Sequence, residues 1–156
     1  MKAASVNEIK TELKATTPAQ LIELCLRLAR FKKENKELLT FLLFEADDLQ
    51  AYIDNVKKEI EEGFEEINTS NLYFAKKSIR KILRNTNRYI KYTGSKQAEV
   101  ELLLFFCTQL KSKVPVQKSP ALYNLYQGQI KKIKTVITGL HEDLQHDYLS
   151  QLEQLY

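Results

Sequence analysis

Lys76, Arg80, Arg84, Arg88 and Lys91 recur at intervals of three or four residues. On a helix that spacing aligns the five cations as one ridge, and Lys77 lies beside its start. Phosphate recognition is the chemistry such a ridge performs. Arg and Lys follow an anionic backbone, and aromatic rings nearby stack on bases. Tyr89 and Tyr92 stand in the same segment and are the rings this reading would use. The binding residues it predicts are Lys77, Arg80, Arg84, Arg88 and Lys91, on a basic helix over 70–93.

A second reading competes with it. Residues 70–96 hold eight cations and no acid, whereas residues 45–66 hold nine acids against Lys57 and Lys58. A turn of about four residues, Asn68-Thr69-Ser70-Asn71, separates the two segments, so they are expected to pack antiparallel. Facing residue numbers then sum to about 138. Glu62 would face Lys76 or Lys77, Glu59 would face Arg80, Asp54 would face Arg84, and Asp47 or Asp48 would face Lys91. The favoured expectation is that these charges neutralise one another. Arg88, with only Gln50 or Ala51 opposite, is the cation expected to remain available to a partner.

Other chemistry finds little support. His141 and His146 are five residues apart, which on a helix points them about 140° from each other, so no metal site is expected. Cys25 and Cys107 both lie in apolar runs and read as buried thiols, without need of a disulfide. The four Gly are isolated, and no phosphate-cradling or nucleophile-elbow motif occurs. The carboxylates of EIEEGFEE read as a wet helix face. No enzyme activity and no cofactor are expected.

The elements that position these residues are helical throughout, because apolar residues recur at the helical period. The chain has 156 residues, a net charge of +4, and only four Gly and three Pro. Ser5 with Glu8, and Thr17-Pro18-Ala19-Gln20, read as capped helix starts. Asn35, Asp47–Asp48, Ser70, Ser95 and Ser119-Pro120 mark later starts, and Gly94 marks a stop. Three segments, 18–31, 36–46 and 96–112, are apolar on most sides and are expected to be interior. The others show a single apolar stripe.

The fold class predicted is all-α, with seven or eight helices. Central apolar helices are sheathed by amphipathic ones, as a bundle or a short solenoid-like stack. One domain over 1–156 is expected. A weak echo between KELLTFLLFE and VELLLFFCTQ raises a three-helix duplication, 17–68 with 70–138. The start lacks the apolar stretch of a signal peptide, and no apolar run is long enough to span a bilayer, which gives the expectation of a cytoplasmic protein without membrane contact.

The function expected from the sequence is a non-enzymatic helical protein–protein interaction or scaffold module, with a protein partner or self-association. Tyr123 and Tyr156, off the apolar stripes, are its predicted contact residues, and the basic loop 112–119 is a further contact region. The alternative is a nucleic-acid-binding accessory protein using the basic helix. A small-molecule sensor with a pocket between interior helices is a third reading.

Overall fold

A computed structural model describes residues 1–156. It contains eight α-helices and no strand: α1 Val6–Lys14, α2 Pro18–Phe31, α3 Lys33–Thr40, α4 Leu49–Glu65, α5 Leu72–Thr93, α6 Lys96–Lys113, α7 Pro120–Ile137 and α8 Glu142–Glu153. A π-helical turn, Phe41–Glu45, follows α3, and a short 3₁₀ turn, Val116–Lys118, precedes α7. The chain divides into two compact units, Met1–Phe44 and Glu45–Tyr156.

Local chemistry starts most helices where the sequence says it should. Ser5 and Glu8 form a reciprocal capping box, as do Thr17 and Gln20. Asp48, Ser95 and Ser119 each accept a backbone N–H of the following turn. Gly94 ends α5 in the left-handed conformation (φ 60°) that a side chain disfavours. Two starts differ from expectation. Asn71, not Ser70, caps α5, taking the N–H groups of Tyr73 and Phe74. Asn35 lies inside α3 rather than before it, and its Nδ2 donates to the Leu28 carbonyl at 2.8 Å. That bond satisfies an orphan acceptor in the last turn of α2.

The second unit holds the core. α6 lies at its centre and packs on α4, α5, α7 and α8. Ala98, Val100, Leu102, Leu103, Phe106, Cys107 and Leu110 are wholly buried on it. A helix apolar on most sides takes this position, and only the face carrying Gln97, Thr108 and Lys111 is left in water. Each large side chain so buried contributes roughly 1.5–3 kcal/mol. Ile53, Val56, Ile60 and Phe64 of α4 close one side, Ala75, Ile79 and Ile90 of α5 another, and Leu122, Tyr126, Ile130, Ile133 and Ile137 of α7 a third. Buried phenols are anchored to polar atoms: Tyr126 donates to the Leu155 carbonyl at 2.6 Å, and Tyr148 to Glu101 at 2.9 Å.

The first unit is built differently, and it corrects the expectation that 18–31 and 36–46 are interior. α2 and α3 pack on each other, yet no residue of α1, α2 or α3 is buried. Phe41, in the π turn, is the one buried side chain of 1–44. Cys25, expected inside, is exposed, while Cys107 is buried; both thiols are free. The two echoing segments, 36–45 and 100–109, therefore lie in opposite environments. The segment 112–119 is also less open than a contact loop: Val114, Val116 and Ser119 are all buried.

Candidate functional site

Two surfaces stand out once the helices are placed. The first is the charged face of α5. Its buried residues, Ala75, Ile79, Thr86 and Ile90, fix the phase of the helix. At about 100° per residue, Lys77, Arg80, Arg84 and Lys91 then lie on the opposite pole. All four are exposed.

None of the four anticipated ion-pair sets forms: the acids at 47, 48, 54, 59 and 62 make no ion pair with Lys76, Lys77, Arg80, Arg84 or Lys91. Ion pairs in this unit instead join Lys57 to Glu101 at 3.2 Å, Lys113 to Glu65 at 3.9 Å and Lys132 to Glu99 at 3.0 Å. Helix phase and register explain the miss. Asp54, nine residues before Gly63, points directly away from the seam, and Glu62, one residue before it, points aside. α4 and α5 do pack side by side, but Gly63 lies against Ile82. The summed-number register would have put Ala75 or Lys76 there. Thus α4 supports the apolar side of α5 and leaves its cationic pole uncovered.

Glu59 lines the groove against α5 beside the Tyr89 phenol. Tyr89 is half-buried between the helices, and its pKa is raised, first by burial and then by its hydrogen bond and proximity to Glu59. The Tyr89 carbonyl also receives the Tyr52 hydroxyl at 3.3 Å. Tyr89 is thus a seam residue rather than a stacking ring. Arg88 is likewise not the open cation expected. It is half-buried, with its guanidinium 5.4 Å from the centroid of the Tyr89 ring.

The aromatics that do accompany the ridge are two that the sequence reading did not use. Tyr73 and Phe74, each 59% exposed, open α5. Their rings meet edge to face at 5.4 Å, and the Lys77 ammonium sits 4.8 Å from the Tyr73 centroid. Tyr73 lies four residues before Lys77, hence on the same pole. That spacing was the available signal.

The second surface is the apolar face of the first unit. On α2, Gln20, Glu23, Arg27 and Arg30 form one polar stripe, and apolar residues occupy the remaining arc of about 220°. α3 meets only part of that arc, around a small groove of about 180 Å³ lined by Cys25, Leu28, Ala29, Asn35, Leu38, Leu39 and Leu42. Ile22 and Leu26 on one flank, and Leu24 and Phe31 on the other, remain in water, and the π turn adds Leu42, Leu43 and Phe44.

A concavity of about 790 Å³ in the second unit opens among α4, α6 and α8. Its polar residues are occupied with each other: Glu101 receives Lys57 at 3.2 Å, the Tyr148 hydroxyl at 2.9 Å and Gln97 at 3.3 Å. Burial and the Glu101 carboxylate push the Tyr148 phenol up to about 12, so it stays protonated and donating. That arrangement joins three helices. His141 accepts the Asp143 N–H as the cap of α8. No group of three or more His, Cys, Asp or Glu comes together that could hold a metal ion. No helix is long and apolar enough to cross a membrane.

Of the predicted contact tyrosines, both are exposed, Tyr123 on the first turn of α7 and Tyr156 at the last residue. The tail carrying Tyr156 is fastened down, because Lys111 donates to the Gln154 and Tyr156 carbonyls. No protein-family model matches the chain, and no curated protein or solved structure matches it either.

Proposed function

We propose that the protein is a non-enzymatic interaction module that self-associates through its first unit, the α2–α3 pair of one copy packing on that of another. The observation that carries this reading is the apolar surface of residues 18–44. Leu28 is 61% exposed, Phe31 76% and Phe44 77%, with Ile22, Leu24, Leu26, Leu38, Leu42 and Leu43 also exposed. Together these nine side chains, spread over both flanks of the pair and the π turn, leave on the order of 1,000 Å² in water, where a monomer usually shows patches of a few hundred Å². Each partner of a standard interface buries ~800 Å², so the supply matches the need.

A second copy is the fitting occupant, because it brings a dry surface of the same extent and the same chemistry. A two-fold pairing is self-complementary by construction. Two helices cannot cover each other's wide apolar arcs, whereas four, as two pairs, enclose a shared core. The exposed polar stripe of α2 would remain at the rim.

The test is co-purification of two differently tagged copies, with Leu28→Asp and Phe31→Asp as disrupting changes. Both residues are exposed, so the changes leave the helical content intact. Capture of the second tag, lost in the doubly substituted protein, supports the reading. A chain that captures no second copy contradicts it, as does a monomer that floats with neutral phosphatidylcholine vesicles through this face.

A further inference from the structure

We infer that the solvent pole of α5 binds single-stranded nucleic acid, with Lys77, Arg80, Arg84 and Lys91 on the phosphates and Tyr73 and Phe74 as the stacking platform. The surface belongs to the second unit and is independent of the pairing proposed above.

Three observations combine here. The four cations are exposed and have no ion-pair partner within 4 Å, although a strongly acidic helix packs directly alongside. An arrangement meant for internal stability would have used those acids. The cations are also crowded by one another. Lys77 and Arg80, Arg80 and Arg84, and Lys81 and Arg84 are like-charge neighbours at helical spacing, each costing about 0.2–0.5 kcal/mol. A sequence that accepts such local conflict along one face commonly does so for a ligand. A polyanion laid along the pole removes the conflict.

The aromatic pair selects among polyanions. Tyr73 and Phe74 present rings that are more than half exposed at the start of the ridge. A sulfated sugar or an acidic peptide makes little use of a flat aromatic face, whereas an unpaired base stacks on one. From Tyr73 to Lys91 the pole runs about 27 Å, at 1.5 Å per residue, which accommodates a short strand. A convex helix face carrying protruding rings at one end suits a flexible strand, whose bases can splay toward them, better than a duplex with its bases stacked inside. Lys81 stands aside from this set. It lines the groove between α4 and α5, which Glu59 and Glu66 also line.

The test is fluorescence anisotropy of the full chain with a labelled 12-nucleotide oligouridylate, compared with a 12-base-pair duplex and with heparin. Four phosphate contacts predict a slope of about −2.8 in log affinity against log salt for a single strand. Binding should therefore weaken about 50-fold between 50 and 200 mM salt. Arg80→Ala with Arg84→Ala should halve that slope, weaken binding at least ten-fold, and leave the melting temperature unchanged or raised. Tyr73→Ala with Phe74→Ala should weaken the oligouridylate five-fold or more and leave heparin unaffected.

Absence of oligouridylate binding at 50 mM salt overturns the proposal. So does a duplex bound more tightly than the strand, or equal loss of heparin and oligouridylate affinity in the aromatic variant. A lowered melting temperature in the arginine variant overturns it too, since it would assign the ridge a structural role.

Discussion

Replacing Gly63 by Ala tests the register on which the openness of the α5 ridge depends. A Cβ built at Gly63 would stand 3.1 Å from both Cδ1 and Cγ1 of Ile82, a few tenths of an ångström inside ordinary contact. Two effects then oppose each other. Ala in a helix interior is favoured over Gly by about 0.8–1.0 kcal/mol. Crowding a packed seam costs typically 1–3 kcal/mol. Ile82 is only half-buried and yields in part, so the cost falls at about the lower figure. Gly63→Ala alone should therefore change unfolding free energy by less than about 0.5 kcal/mol, the two terms nearly cancelling. Ile82→Ala removes both opposing atoms. In that background Gly63→Ala should stabilise by the full ~1 kcal/mol of helix propensity. Urea denaturation of the four proteins gives a coupling of ~1 kcal/mol between the sites, against ~0.3–0.5 kcal/mol for sites that do not meet. Strict additivity would refute the register and restore the facing of acids to arginines that the sequence suggested.

Three further expectations follow from the core. Tyr148→Phe deletes a hydrogen bond to a carboxylate that still holds Lys57 and Gln97, and should lower stability in urea by about 1–2 kcal/mol. Gly94→Ala forces a side chain into φ 60° and should cost about 1–2 kcal/mol, read as a lower thermal midpoint. Burial first, with smaller charge effects for the two phenols, lifts Tyr126 and Tyr148 to about 12 from 10, and burial lifts Cys107 to about 12 from 9. Raised folded-state values mean that their stability contribution is complete below pH 9 and is lost as pH climbs toward 12. Urea midpoints that stay flat from pH 9 to 12 would contradict this assignment.

Much of the fold was legible because its signals are local. Ser5–Glu8, Thr17–Gln20, Ser95 and Ser119 cap helices through contacts three residues long, and a reader of sequence sees that distance. The apolar surround of α6 also announced a central helix. The same signal misled for α2 and the segment after Asn35. An apolar arc of that width states that a surface must be covered, but not whether the chain itself supplies the cover. Ion pairing failed for another reason. Facing residues in a hairpin depend on helix phase and on where the seam first closes, and Gly63 lets α5 approach at Ile82 rather than at Ala75 or Lys76. That shift sends Asp54 and Glu62 away from the arginines. Tyr73 and Phe74 were overlooked because they precede the charge cluster, although Tyr73 is one helical turn from Lys77.

Sedimentation equilibrium of the unmodified protein across 1–200 µM tests the central claim most directly. Burial of the exposed apolar face of residues 18–44 by a second copy predicts a mass rising with concentration from the 18.2 kDa chain toward twice that value, with the rise abolished by Leu28→Asp and Phe31→Asp together. A single-chain mass throughout the range would contradict it.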